Sequence, residues 1–129
     1  MNLSQPLIRR CLLLLWLAST VMVIYLSLTP GLALPYDFDN ADKVYHMLAY
    51  LWLSALPFFA FSKTERSLTG ALSMIPLGIG LEFVQCYVPG RSFSVADMAA
   101  NCLGVILGIW LARYIKRNHF LPAFRAQAK

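Results

Sequence analysis

The sequence predicts an all-α fold, a polytopic membrane bundle of four transmembrane helices forming one domain over residues 1–129. Three observations lead there. Hydrophobic residues make up 59% of the chain and charged residues 13%, whereas soluble domains run at about 45–50% apolar and about 25% charged. A core of this size cannot hide that excess of apolar surface, so the bilayer is its solvent. The apolar residues fall into four runs, each close to the roughly 20 residues needed to cross about 30 Å of hydrocarbon. Basic residues gather at alternate ends of those runs.

The first run, about 11–28, follows Arg9 and Arg10 and at first resembles a secretory signal. It exceeds the about 7–15 residues of a signal core and lacks a clean small-residue cleavage site, so it reads as an uncleaved anchor ended by Pro30-Gly31. The second run covers about 44–61 and the third about 68–88, with Pro57 and Pro76 inside them. Each proline should kink its helix, which a membrane bundle tolerates when neighbours satisfy the freed backbone groups. The fourth run, about 95–114, carries Ala96, Ala100, Gly104, Gly108 and Ala112 at every fourth position. Small residues at that spacing let helices approach closely, here as an intramolecular seam at the centre of the bundle.

Orientation follows from the basic residues. Arg9, Arg10, Lys63, Arg66, Arg113, Lys116, Arg117, Arg125 and Lys129 lie before the first run, between the second and third, or after the fourth. Only Lys43 and Arg91 occupy the other two connections. Positive charge marks the cytoplasmic side, so the expectation is a cytoplasmic (inner) membrane protein with both termini inside. The connections Pro30–Lys43 and Pro89–Ser94 then face outward. The net charge of +5 is used up in this flanking pattern, and no aromatic-interleaved basic surface is left for nucleic acid. Cys11, Cys86 and Cys102 lack metal spacing and sit in or beside apolar runs; a Cys86–Cys102 bridge at the outer face is the one pairing the topology would allow.

Ionisable groups inside spans are informative because they are costly there. Asp42, Lys43 and His46 begin the second span, and Glu82 and Gln85 end the third. Arg91 lies in the following turn, and Asp97 and Asn101 begin the fourth span. The pairs Asp42/His46, Glu82/Gln85 and Asp97/Asn101 are spaced to share a helix face, and all arrive at one depth. Plain structural roles compete for several of them. Ser94 and Asp97 have capping-box spacing, Asp42 suits a helix N-terminus, and Lys43 and Arg91 suit an interface with headgroups. Tyr45, Tyr50, Trp52, Tyr87 and Phe93 read as an interfacial belt and core. Glu82 is too deep for a cap, and its expected partner is Arg91 across the Pro89-Gly90 turn.

The string Asp42-Lys43-x-x-His46, then Gly80-Leu81-Glu82-Phe83-x-Gln85, then Pro89-Gly90-Arg91, then Asp97-x-x-x-Asn101-x-x-Gly104-x-x-x-Gly108 resembles the VanZ-like family. These are small bacterial membrane proteins named for a teicoplanin-resistance protein. The similarity runs over about half the chain, with Met47 standing where the family pattern often has an aromatic residue. The resemblance implies a four-span membrane protein, and for the founding member lowered susceptibility to a lipoglycopeptide. It carries Asp42, His46, Glu82, Gln85, Arg91, Asp97 and Asn101 as motif positions without an assigned reaction.

Three function classes remain open on the residues alone. In the first, the protein acts on or binds an envelope lipid or lipid-linked glycan. Arg91 and Lys43 would hold a phosphate, with Gln85, Asn101 and Asp42 lining the substrate site. Glu82 or His46 would be the general base and Asp97 would orient it. The same carboxylates and imidazole can gather a divalent metal ion. In the second class the polar cluster only fixes helix packing in a non-catalytic envelope scaffold or partner-binding subunit. The third, a proton or solute relay, lacks ionisable groups in the inner half of the third and fourth spans.

Overall fold

The computed structural model describes residues 4–31 and 39–126. Residues 32–38, most of the connection expected at Pro30–Lys43, lie outside the described residues, as does Lys129. The described residues form six helical segments and no strand. These are α1 (Ser4–Leu28), α2 (Ala41–Ala55), α3 (Pro57–Ala60), α4 (Thr64–Leu72), α5 (Met74–Gln85) and α6 (Val95–Ala126). The chain is a helical membrane bundle, and its crossings match the four apolar runs.

Three stretches are long and apolar enough to cross a bilayer, namely Gln5–Leu28, Thr64–Gln85 and Val95–Asn118. The remaining crossing is α2 and α3 end to end, Ala41 to Ala60, about 30 Å at 1.5 Å per residue. Its interruption is at Leu56, just before Pro57, where the backbone keeps helical angles (φ −55°, ψ −42°). Proline has no N–H, so the carbonyl four residues back, that of Leu53, loses its intrahelical donor. Trp16 on α1 replaces it, with its indole Nε1 donating to Leu53 O at 2.9 Å. A neighbouring helix thus satisfies the group freed by the kink, the condition for a proline within a span. The third crossing breaks at Ser73, three residues ahead of Pro76, and its hydroxyl donates to Gly70 O at 2.8 Å.

The boundaries differ from expectation in three places, each for a local reason. α1 starts at Ser4 rather than near Cys11 because Pro6 falls in the first turn, where a missing N–H costs nothing. The third crossing ends at Gln85 rather than Val88. Cys86, Tyr87 and Val88 donate instead to the carbonyls three residues back, tightening into the Pro89-Gly90 turn, where Gly90 takes φ +77°. α6 runs past Tyr114 because no glycine follows Gly108 and no proline precedes Pro122.

The most extensive interface joins α2 and α6, and glycine makes it possible. A Cβ at Gly104 would strike the carbonyl oxygen of Met47, and one at Gly108 would strike Ser54 Oγ and the carbonyl of Leu51. Ser54 uses the contact, its hydroxyl lying 3.1 Å from Leu51 O and 3.3 Å from Val105 O across the seam. Gly104, Gly108 and Ala112 are buried, whereas Ala96 at the head of the same stripe is exposed. The small-residue stripe is therefore an intramolecular seam over its lower three members. Around it, Tyr50, Leu53, Met74 and Val105 form one core cluster, and Phe58, Ala71 and Ala112 a second. α1 lies on the outside against α3 and α5, and shows Leu14, Leu17, Val21, Met22 and Tyr25 to the surroundings. In a bilayer that face meets acyl chains.

The bundle has two chemically distinct ends. Arg9 and Arg10 of α1, Lys63 and Arg66 around the start of α4, and Arg113, Lys116 and Arg117 of α6 define a basic end. Arg113 lies 5.9 Å from the Phe58 ring centroid, and Arg9 is near enough to Lys116 for their charges to interact. The other end collects the end of α1, the start of α2, the end of α5 and the start of α6. All three cysteines are free, so no Cys86–Cys102 bridge forms.

Candidate functional site

At that second end the side chains singled out from the sequence divide into two groups. One converges into a cluster where α2, α5 and α6 meet. His46 Nδ1 of α2 lies 3.1 Å from Asn101 Oδ1 of α6. Lys43, three residues earlier on the same face, places its ammonium 4.0 Å from Asp97 Oδ1 of α6 and 3.1 Å from its own neighbour Asp42. Glu82 of α5 is 1% exposed, and its Oε2 accepts the Ser94 backbone N–H at 3.2 Å. One ligating atom each from His46, Glu82 and Asp97 lies within 4.8 Å of the others.

The cap of α6 explains how Asp97 comes to face inward. Ser94 acts as N-cap, its hydroxyl accepting the Asp97 N–H at 3.2 Å. In a full capping box the acidic residue three positions on would return the favour to the Ser94 N–H. Here Glu82 has taken that N–H. Asp97 is thereby released from the cap, although it is only 9% exposed. Its Oδ1 is buried and receives no hydrogen bond; Lys43, at 4.0 Å, attracts it electrostatically but lies beyond hydrogen-bond reach.

The floor of the cluster is set by Gly78 and Tyr50. A Cβ at Gly78 would come within 3.0 Å of the Tyr50 ring and 3.1 Å of Asn101 Nδ2, so the missing side chain is what lets both reach this level. Tyr50, read from the sequence as belt or core, is 1% exposed and belongs to the core directly below the site. At the rim, both carboxylate oxygens of Asp42 accept the Lys43 ammonium, at 3.3 and 3.1 Å.

The second group points elsewhere. Gln85 Nε2 donates to Ser27 O at 2.9 Å, and one terminal nitrogen of Arg91 donates to Leu26 O and Thr29 O at 3.2 and 3.4 Å. Ser27 and Leu26 are in the last turn of α1 and Thr29 follows it, where carbonyls lack the regular donor four residues on; Leu26 O also accepts the Thr29 N–H at 3.4 Å, and a cation there suits the helix dipole. Arg91 therefore spends part of its fork on α1, and the hydrogen bond to Glu82 comes from Ser94, not from Arg91. Sequence reading missed this tie because its acceptors are main-chain oxygens, which leave no residue signature. Two of the five guanidinium donors suffice for these bonds, and the remaining edge is not committed to them.

A buried ionisable cluster held by three helices at one end of an apolar bundle defines a class, the polytopic membrane protein with a polar site at one end of its helices. Within that class, the VanZ/LLP1 family profile matches residues 6–117, and the chain belongs to this family. A fission-yeast protein (Schizosaccharomyces pombe), Uncharacterized protein C11E3.10, is 30% identical over 107 residues, covering 81% of this chain and 64% of that protein. The chain thus spans less than two thirds of that relative's length. No solved structure matches the chain.

Proposed function

We propose that the protein binds the phosphate-bearing headgroup of an envelope lipid or lipid-linked glycan at this cluster, on the extracytoplasmic side of the cytoplasmic membrane. The observation that carries the reading is the buried Asp97 Oδ1 without a hydrogen-bond donor, beside the half-exposed ammonium of Lys43. A buried acceptor left unpaired costs about 1–3 kcal/mol. A headgroup hydroxyl donating to Asp97 while its phosphate meets Lys43 would recover that cost. The free edge of Arg91 supplies a second phosphate contact at the rim, and Glu82 and His46 lie behind as groups able to take or give a proton. Asp42, Gln85 and Asn101 shape the surroundings of that site. The kinship with a yeast protein favours a chemistry common to bacterial and fungal membranes, the lipid phosphate, over one confined to a bacterial wall. An effect on glycopeptide susceptibility would follow where the bound lipid is the drug's own target or its neighbour.

The test is native mass spectrometry of the purified protein, with co-purifying lipids identified. Wild type should retain an acidic lipid that Lys43→Ala and Asp97→Asn release at least tenfold more readily. Equal retention by the variants would reject the reading. A second reading, a scaffold without a ligand, is favoured by the cross-helix pairs His46–Asn101 and Glu82–Ser94. It expects Glu82→Gln to lower protein abundance and to leave activity per folded molecule intact.

A further inference from the structure

We infer that His46, Glu82 and Asp97 form a three-ligand site for a divalent transition cation, with further coordination positions left for water or a substrate oxygen. The inference does not require a bound lipid. One atom from each residue falls within 4.8 Å of the others. Around an ion with bonds of about 2.1 Å, ligand atoms stand about 3.0–4.2 Å apart, so a slight closing of these side chains completes the set.

Three further features favour a cation. Asp97 Oδ1 is buried and accepts no hydrogen bond, which is the state of a ligand oxygen whose partner is an ion. Two carboxylates this close repel each other unless positive charge lies between them; Lys43 is shared, nearer to Asp42 than to Asp97, and Arg91, whose charge also acts on Glu82, gives its hydrogen bonds to the end of α1. Finally, His46 has the support typical of a metal ligand. Its Nδ1 faces the carbonyl oxygen of Asn101 at 3.1 Å, a contact that in the neutral ring puts the proton on Nδ1 and the lone pair on Nε2. A ligating histidine generally fixes its tautomer by donating its other N–H in this way. The Ser94 N–H, 3.2 Å from Glu82 Oε2, does the same for the second ligand.

One imidazole and two carboxylates suit Mn²⁺ or Zn²⁺ better than softer or purely oxygen-seeking ions. Three protein ligands leave positions for water or a substrate oxygen, as in catalytic rather than structural sites.

The experiment uses the full-length protein in a maltoside detergent, which offers no phosphate, after stripping with a chelator. Mn²⁺ binding is followed by electron paramagnetic resonance and Zn²⁺ binding by calorimetry. Wild type should take up one ion per chain. Glu82→Gln, Asp97→Asn and His46→Ala should each weaken binding at least tenfold, and Asn101→Ala by about 10–100-fold through loss of the tautomer lock. Glu82→Gln keeps an oxygen for the Ser94 N–H, so it retains the cap and decides the question even if His46→Ala fails to fold. Lys43→Ala removes a competing positive charge and should tighten cation binding, the opposite of its expected effect on a lipid phosphate. No saturable uptake by wild type, unchanged affinity in both carboxylate variants, or weaker binding by Lys43→Ala would each overturn the assignment. Because the two ligands are measured separately, failure of the lipid reading leaves this result standing.

Discussion

Asp97 carries the clearest tension in the molecule at the scale of a single residue. Its backbone N–H is capped by Ser94, yet its carboxylate is buried and lacks a donor. Native structures keep few such groups, and each marks a bound water or ion, local strain or a catalytic role. Asp97→Asn replaces a charge by a neutral amide of the same shape and leaves the Ser94 cap in place. In ion-free, lipid-free protein the variant should therefore be more stable, by about 1 kcal/mol, because the cost of a buried unpaired acceptor falls. Thermal unfolding in detergent measures this. A lower midpoint would mean that the 4.0 Å attraction to Lys43 already stabilises Asp97, and that the residue is structural. The residues that meet in the cluster were legible in the sequence, because ionisable side chains are conspicuous in apolar spans. Their pairing was less so. Arg91, the expected partner of Glu82, acts on it through its charge, while its hydrogen bonds go to carbonyls at the end of α1 that any sequence would present.

At the scale of elements, proline and its replacement donor form a pair that can be separated experimentally. Pro57 deprives Leu53 O of its donor, and Trp16 supplies one from α1 at 2.9 Å. Trp16→Phe keeps most of the ring, which also packs edge-on against Phe61 at 6.0 Å, but leaves the carbonyl unpaired. It should cost about 1 kcal/mol. In a Pro57→Ala background the helix regains its own N–H at that position, so the same change should cost measurably less. A double-mutant cycle on unfolding free energies reads the coupling, and additive effects would show that the indole contributes only packing. The kink was legible in the sequence from Pro57 alone. The compensating tryptophan was not, since nothing in the order of residues says which helix lies beside Leu53. The same limit explains the glycine stripe. Its spacing announced a seam, but that Gly104 and Gly108 both face α2 emerges only when Met47, Leu51 and Ser54 are in place.

At the scale of the whole molecule, the separation of a basic end from a polar cluster raises the question of which side each end faces. By the bias of positive charge toward the cytoplasmic side, Arg9, Lys63 and Arg113 are expected inside and the polar cluster outside. Two of the three native thiols report on this, Cys102 being half-buried in α6. Cys86, in the turn after α5, is exposed at the cluster end, and Cys11, in α1 two residues after Arg9, belongs to the basic half. A membrane-impermeant maleimide added to intact cells whose outer barrier has been opened should therefore label the wild-type protein at Cys86. A Cys86→Ser/Cys102→Ser double variant should take up label only after the membrane itself is permeabilised. The opposite pattern would turn the cluster toward the cytoplasm, where a headgroup of the inner leaflet would be its only accessible lipid. Topology thus selects which leaflet can supply a ligand, and the labelling result decides it independently of whether Lys43 binds phosphate or His46, Glu82 and Asp97 bind an ion.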